Sequence, residues 1–236
     1  MMKILCIVGP TASGKTAAAV EMALRMNGEV VSCDSVQLFR GFDIGTAKPT
    51  DGERRGVTHH MLDVAEPEEE WSAGRYAREA RVCIDAVLRR GKLPVVSGGT
   101  GFYLRALTDG LTGLPPAPAD WEFVTVGLHP PRDVLERRII DRAGAMLRGG
   151  LIEETRSLLQ SGVPEDCAPM CAIGYVQARA LLAGTLTEEA ALAEIILRTR
   201  QYAKRQRTWF YHQTKALWLE KFSQNEIKTV EKILVL

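Results

Sequence analysis

Several features that would settle a protein's class are scarce in this sequence. No apolar run approaches the roughly 20 residues needed to cross a bilayer, which argues against a membrane span. Net charge is +1, from 30 basic and 29 acidic residues. The molecule as a whole is therefore no polycation, and any nucleic-acid contact has to come from a local basic patch. The five cysteines, Cys6, Cys33, Cys83, Cys167 and Cys171, include no CxxC pair and no His-rich neighbour. An odd count without metal-ligand spacing suggests reduced thiols in a cytosol. Cys167 and Cys171 form at most half a zinc site, because no second pair exists. Internal repeats and low-complexity tracts are missing too, and the first residues already read as a strand, which leaves no room for a leader. What remains is an ordinary globular composition, 46% hydrophobic and 25% charged over 236 residues, enough for one large α/β domain.

The order of elements gives the architecture. Lys3–Val8 is an apolar run of strand length. A Gly-rich turn follows, then a helix to about Met26, stopped by Asn27-Gly28. Glu29–Cys33 reads as a second strand, 35–58 as an extended functional loop and His59–Val64 as a short strand. Ser72 is a plausible N-cap for a helix with Tyr76, Ala80, Cys83, Ile84, Val87 and Leu88 on one face, ended by Gly91. Leu93–Ser97 is a third buried strand, and "GGTG" at 98–101 opens a helix to about Leu107. After the Pro/Gly linker 110–120 come a strand, Glu122–Leu128, and helices over about 131–148, 151–161, 175–183 and 187–213. Ala216–Glu220 closes as a possible strand, and 224–236 is ambiguous. Alternating strands and helices predict a three-layer, mostly parallel sheet of the P-loop NTPase type, with helices on both faces and a helical C-terminal part.

"GPTASGKT" at 9–16 fits G-x-x-x-x-G-K-[ST] between a strand and a helix. Backbone N–H groups and a helix N-terminus attract phosphate oxygens there; Lys15 adds a cation, and Thr16 can hold Mg²⁺. A hydrolase also needs an acidic residue at a buried strand end. Leu93–Ser97 offers none and runs into Gly98-Gly99-Thr100. Asp34 is the clearest strand-end carboxylate and Asp63 a weaker one. Ligands in such sheets bind beyond the strand carboxyl ends, so Asp34 and Thr100 should face the loop, although Asp34 also reads as a loop cap and Thr100 as a helix N-cap. Arg142 shares a helical stripe with Leu135, Ile139 and Met146. A cation on a buried stripe either bridges a carboxylate or reaches an anionic site. In "RTRQYAKRQR" at 198–207, five cations stand without an acid. The core stripe of that helix reads as Leu192, Ile196, Thr199, Ala203 and Phe210, which puts Arg200 and Lys204 on its border and turns Arg198 and Arg205 away. The run is either a solvated face or a polyanion surface.

Seven segments in order carry a resemblance: "GPTASGKT" (9–16), "DSVQLFRGFDIGTAKP" (34–49), "HHMLD" (59–63), "GGTGFYLRAL" (98–107), "AMLRGGLIEE" (145–154), "AIGY" (172–175) and "RQYAKRQRTWF" (200–210). Together they resemble the tRNA isopentenyltransferase (tRNA dimethylallyltransferase) family over nearly the whole chain. The resemblance implies transfer of a dimethylallyl group from dimethylallyl diphosphate to N6 of adenosine 37 in tRNA, next to the anticodon, with release of diphosphate. On it, Gly9, Pro10, Thr11, Ala12, Ser13, Gly14, Lys15 and Thr16 hold the diphosphate, with Mg²⁺ at Thr16. Asp34 is the base, and Thr100 and Arg142 stabilise the leaving group. Asp34, Ser35, Val36 and Gln37 meet the target adenosine, and Arg200 and Lys204 the tRNA. A monomer in the cytoplasm, with no membrane partner, is expected.

One departure is large. Family members carry a helical tRNA-gripping insertion after the "GLPP" segment, whereas here the linker 110–122 leads straight from Leu114-Pro115-Pro116 to the next strand. The chain is therefore expected to be one catalytic domain, 1–236. A shortened RNA lobe keeps a free adenine nucleotide open as acceptor, as in the cytokinin-forming adenylate isopentenyltransferases. A small-molecule P-loop kinase and a nucleotide-dependent switch without chemistry are the further alternatives.

Overall fold

A computed structural model of the chain describes residues 1–235. In chain order the elements are β1 (Met2–Val8), α1 (Lys15–Arg25), β2 (Gly28–Ser32), α2 (Asp51–Arg54), β3 (His59–His60), α3 (Ala73–Arg89), β4 (Leu93–Gly98), α4 (Gly101–Thr108), β5 (Trp121–Leu128), α5 (Arg132–Arg148), α6 (Leu151–Gln160), a 3₁₀ turn (Pro169–Cys171), α7 (Tyr175–Leu182), α8 (Glu188–Gln213), β6 (Leu217–Leu219) and α9 (Gln224–Val235). The strands form one sheet in the order β3-β2-β4-β1-β5-β6, and every pairing is parallel. The sheet is thus wholly rather than mostly parallel.

Two apolar layers cover it. One joins Ile4, Cys6, Val31 and Val96 of the strands to Tyr76, Ala80 and Ile84 of α3, Leu104 of α4 and Phe210 of α8. The other joins Leu5, Ile7, Val30 and Val95 to Ala19 and Met22 of α1 and Ile227 and Val230 of α9. Alternate residues of β1 therefore serve opposite faces, as parallel strands buried on both sides require. Ser72 caps α3 as expected, its Oγ accepting from the Arg75 N–H at 3.1 Å.

Three readings change. The strand expected over His59–Val64 is only His59–His60, because Met61 and Asp63 adopt left-handed backbone, at φ 61° and 54°. The long loop contains α2, closed by a Thr50/Glu53 capping box. The ambiguous tail is a helix, α9, over its described residues, with Ile227, Val230 and Leu234 on the sheet. No described helix is long and apolar enough to cross a membrane.

Candidate active site

A cleft of about 340 Å³ lies beyond the carboxyl ends of β1, β2 and β4. Thr11, Lys15 and Thr16 line it from the phosphate loop, Asp34, Ser35, Val36 and Gln37 from the segment after β2, and Gly45, Thr46 and Ala47 from the loop beyond. Arg142 lines it from α5, and Tyr202, Arg205 and Gln206 from α8. Ile139, Ala143, Met146, Ile173 and Ile195 supply an apolar part of the wall.

The phosphate loop has its expected form. Ala12 and Gly14 are left-handed, at φ 63° and 92°. A Cβ on Gly9 would stand 2.6 Å from the Leu128 carbonyl oxygen, so the loop leaves β1 pressed against the end of β5. The Pro10 carbonyl accepts from Ser13 N–H at 3.2 Å and from Lys15 Nζ at 3.3 Å. Ser13 Oγ is buried without a hydrogen-bond partner. Not every N–H of the loop is free for an anion: that of Thr11 donates to Gln206 Oε1 at 2.7 Å. Gln206 Nε2 donates in turn to the Gly99 carbonyl at 2.9 Å. This buried amide clips the phosphate loop to the end of β4. Sequence reasoning missed it, because a glutamine inside a cationic run reads as surface.

Gly98 explains why the segments carrying Asp34 and Thr100 meet. A Cβ there would fall 1.9 Å from the Cys33 carbonyl oxygen, so only glycine lets the ends of β2 and β4 close up. Thr100 stands at the N-cap position of α4 without capping it. Its Oγ1 accepts from the Ser35 N–H at 3.0 Å and faces Ser35 Oγ at 3.3 Å. Thr100 does not itself line the cleft; it positions the segment that does. One Asp34 oxygen accepts from Val36 N–H at 3.1 Å, so the loop-cap reading holds, and Asp34 also lines the cleft.

Arg142 has no carboxylate partner among the described residues; its one bond is to the Thr46 carbonyl at 3.4 Å. Burial lowers its pKa, against the pull of Asp34 and Glu53, and a guanidinium remains charged regardless. Burial also pushes Lys15 down to about 8, with Asp34 opposing and Arg142 adding to the shift. Two partly buried cations with one carboxylate nearby, short of partners, are an arrangement that suits an anion. Asp63, the weaker strand-end candidate, lies elsewhere: with Asp43 it pairs Lys48, because its left-handed backbone turns it away from the loop.

The segment from Gln37 to Lys48 is fastened at four points. Gln37 Nε2 donates to the Thr46 and Ala47 carbonyls, both at 3.2 Å. Lys48 Nζ donates to the Phe39 carbonyl at 2.9 Å. Glu154 accepts from the N–H groups of Asp43 and Ile44, and Tyr175 holds both the Gly45 N–H, at 3.2 Å, and Glu154, at 2.5 Å. The "LIEE" segment thus shapes the cleft from behind, and the "AIGY" segment does so through Tyr175 while Ile173 lines it directly. A Cβ on Gly45 would collide with the Tyr175 ring at 2.4 Å.

The basic run of α8 is arranged differently from expectation. Its buried residues are Ala191, Ile195, Ala203, Gln206 and Phe210, a stripe turned by about one position. That turn brings Arg205 to the cleft rather than away from it. Arg200 instead pairs with Glu136 of α5, and Lys204 is exposed outside the cleft. A second α5 arginine, Arg138, donates from Nη1 to the Ser13 carbonyl at 3.1 Å. It borders a side opening with Ala12, Gly14, Lys15, Thr16 and Arg142. Its position one turn before Arg142 was the available signal.

The family model described as IPP transferase matches residues 37–122 and 114–213. A tRNA dimethylallyltransferase of Thermomicrobium roseum is 35% identical, the match covering 92% of this chain and 86% of the relative. That of Myxococcus xanthus is 37% identical, over 90% of this chain and 91% of the relative. Among solved structures, a tRNA isopentenylpyrophosphate transferase of Bacillus halodurans superposes with a TM-score of 0.90 at 31% identity, covering 100% of this chain and 96% of that one. A tRNA delta(2)-isopentenylpyrophosphate transferase of Staphylococcus epidermidis does so with a TM-score of 0.90 at 28% identity, covering 100% and 99%. The first alignment runs over 283 positions, more than the 236 residues here, so that relative carries residues without a counterpart in this chain. The two matched segments of the family model meet in the linker between α4 and β5.

Proposed function

The chain belongs to the IPP transferase family, and on that premise we propose that its cleft transfers a dimethylallyl group from dimethylallyl diphosphate to N6 of adenosine 37 in tRNA. The observation that carries the reading is the pairing, in one cleft, of an under-neutralised cation pair, Lys15 and Arg142, with a single carboxylate, Asp34.

The reaction breaks the C1–O bond of the donor, forms a C1–N6 bond and releases diphosphate. Negative charge grows on the leaving group as the bond loosens. The free N–H groups at the start of α1, Lys15 and Arg142 stabilise that charge, in a cleft where water screens it little. Both cations are held before the donor arrives, so little reorganisation is needed when the charge develops. The N6 amine is a weak nucleophile because its lone pair is delocalised into the ring. Asp34 accepts the N6 proton through the carboxylate oxygen not held by Val36. Thr100 acts through Ser35, fixing the segment that carries Asp34. The apolar wall of Ile139, Ala143, Met146, Ile173 and Ile195 suits a five-carbon tail and keeps water from the loosened C1.

Thr16, which lines the cleft, would hold a Mg²⁺ ion whose shell the donor phosphates and water complete; among the described residues no cluster of three or more metal-ligating side chains exists. Bound there, it would neutralise diphosphate charge. The target adenosine has to be extruded from the anticodon loop to reach Asp34. We place the protein in the cytoplasm as a monomer, where its tRNA substrate is found.

The deciding experiment offers labelled dimethylallyl diphosphate with unmodified tRNA and, separately, with AMP, ADP and ATP. Label on tRNA at the adenosine beside the anticodon is expected. Label on a free nucleotide alone overturns the acceptor assignment, and label on neither overturns the reaction.

A further inference from the structure

Without a long insertion between α4 and β5, the surface that holds the RNA has to be found on the domain itself. Two helices present a fitting one at the lip of the cleft. Trp209 of α8 lies over the first turn of α4, so close that a Cβ on Gly101 would fall 2.1 Å from its ring. Beside it Phe102 is 52% exposed, a large apolar side chain with no cover. Arg105, one turn further along α4, is exposed. Arg205, one turn before Trp209 on α8, lines the cleft and reaches the surface. Neither arginine is in an ion pair among the described residues, whereas Arg198 and Arg200 of the same helix are. Thr100, adjacent to this patch in the chain, anchors Ser35 inside the cleft. The patch therefore joins the cleft through Thr100 in the chain and through Arg205, which lines the cleft.

We propose that this α4–α8 face is the docking surface for the RNA strand carrying the target adenosine, with Phe102 stacking on the neighbouring base and Arg105 and Arg205 holding the flanking phosphates. The inference rests on tRNA being the acceptor. The charge pattern commits the surface to RNA: an exposed ring on a helix that also carries an exposed arginine without an acidic partner suits a base and a phosphate together, and α4 carries no acidic residue. The stacking is sequence-tolerant, because every base has a π-face. Phe102 therefore contributes to holding an extruded loop more than to choosing among tRNAs.

The test uses the full chain. Binding of an unmodified tRNA transcript is followed by fluorescence anisotropy over a salt series, transfer by labelled donor, and donor binding by calorimetry. Phe102→Ala should raise the KM for tRNA by about fivefold to 150-fold, the range of one lost base stack, and leave donor affinity within twofold. Phe102→Tyr should restore most of the loss. The double variant Arg105→Gln/Arg205→Gln should lower the salt slope of tRNA binding by about 0.7 per arginine. If the parent chain modifies tRNA and Phe102→Ala leaves its KM within twofold, this face is not the docking surface. An unchanged salt slope in the double variant overturns the phosphate contacts. If the parent chain binds and modifies no tRNA, the acceptor reading fails and this inference with it.

Discussion

Two charged centres stand at opposite ends of the same sheet, and they are built in opposite ways. At the amino end, Glu29 of β2 is buried and fully answered: Lys92 donates to one oxygen at 2.8 Å, and Arg90 and His60 reach the other at 2.6 and 2.7 Å. Burial alone would raise its pKa, but these hydrogen bonds pull the carboxyl down to about 2. At the carboxyl end, burial dominates instead. Lys15 has one carbonyl contact and Arg142 another, and burial lowers the pKa of both, while Arg142 keeps its charge. Removing Glu29 would leave Arg90, Lys92 and His60 without their partner, which destabilises a fold. Partly buried cations short of partners are instead suited to an anion that arrives from outside.

The largest expected effect falls where the comparison is sharpest, at the one carboxylate between the two cations. Asp34→Asn keeps the shape and the Val36 contact but removes the proton acceptor. Transfer to tRNA should drop by about 10²–10⁴-fold, with donor affinity unchanged or improved. Single-turnover rates and donor calorimetry on the same preparation check it. Transfer within tenfold of the parent would remove Asp34 from the base role.

Much of this was legible in the sequence because it is local. The loop at 9–16, the strand-end Asp34 and the helical stripe carrying Arg142 are each set by neighbours within a turn or two. What escaped depends on contacts between distant segments. Gln206 reaches Thr11 and Gly99, and Glu154 and Tyr175 reach the loop at 43–45; no periodicity reports such pairs. The misassigned cations on α8 have a related cause. Shifting a helical stripe by one residue moves each side chain by about 100°, enough to exchange Arg205 for Arg200. The short β3 was overestimated because left-handed Met61 and Asp63 are non-glycine residues, for which the sequence offers no signal.

Lys15→Met tests the carboxyl-end half of the contrast. It should weaken donor binding by about a hundredfold while raising the melting temperature of the ligand-free protein, since it removes a poorly solvated cation. The sign for pH follows. A lysine held at about 8 in the fold, below its ordinary 10.5, is proton-poor relative to the unfolded chain between those values. Lys15 therefore costs stability below pH 8, and this cost fades as pH rises toward 10.5. Donor affinity should run the other way, falling as pH rises through 8, and calorimetry from pH 7 to 9.5 reads it. A flat affinity profile would mean that Lys15 does not carry the charge the diphosphate meets.

Glu29→Gln tests the amino-end half. The carboxylate stability of Glu29 is present above pH 4.5 and is lost as pH falls toward 2, because its folded pKa is depressed. At neutral pH the variant should lose about 2 kcal/mol, less than a fully buried pair would, because Arg90 and Lys92 reach solvent. Transfer kinetics should be unaffected. Denaturant melts with parallel activity measurements check this, and a loss of transfer without a loss of stability would break the division between the two ends.

The smallest effect concerns Arg138, which lies between the two designs. It is exposed, yet its guanidinium holds the Ser13 carbonyl and stands 3.5 Å from where a Gly14 Cβ would be. With Arg142 it borders the side opening of the phosphate loop. An exposed cation is screened by salt, so its attraction for a diphosphate is modest, while its hydrogen bond to the loop is not removed by salt. Arg138→Ala should raise the donor KM by about threefold to tenfold at low salt and leave kcat within twofold. If charge is the main contribution, the difference from the parent shrinks in 0.5 M salt, whereas a persistent difference assigns Arg138 to shaping the loop. A donor KM equal to the parent's at every salt concentration would place Arg138 outside the anion site altogether.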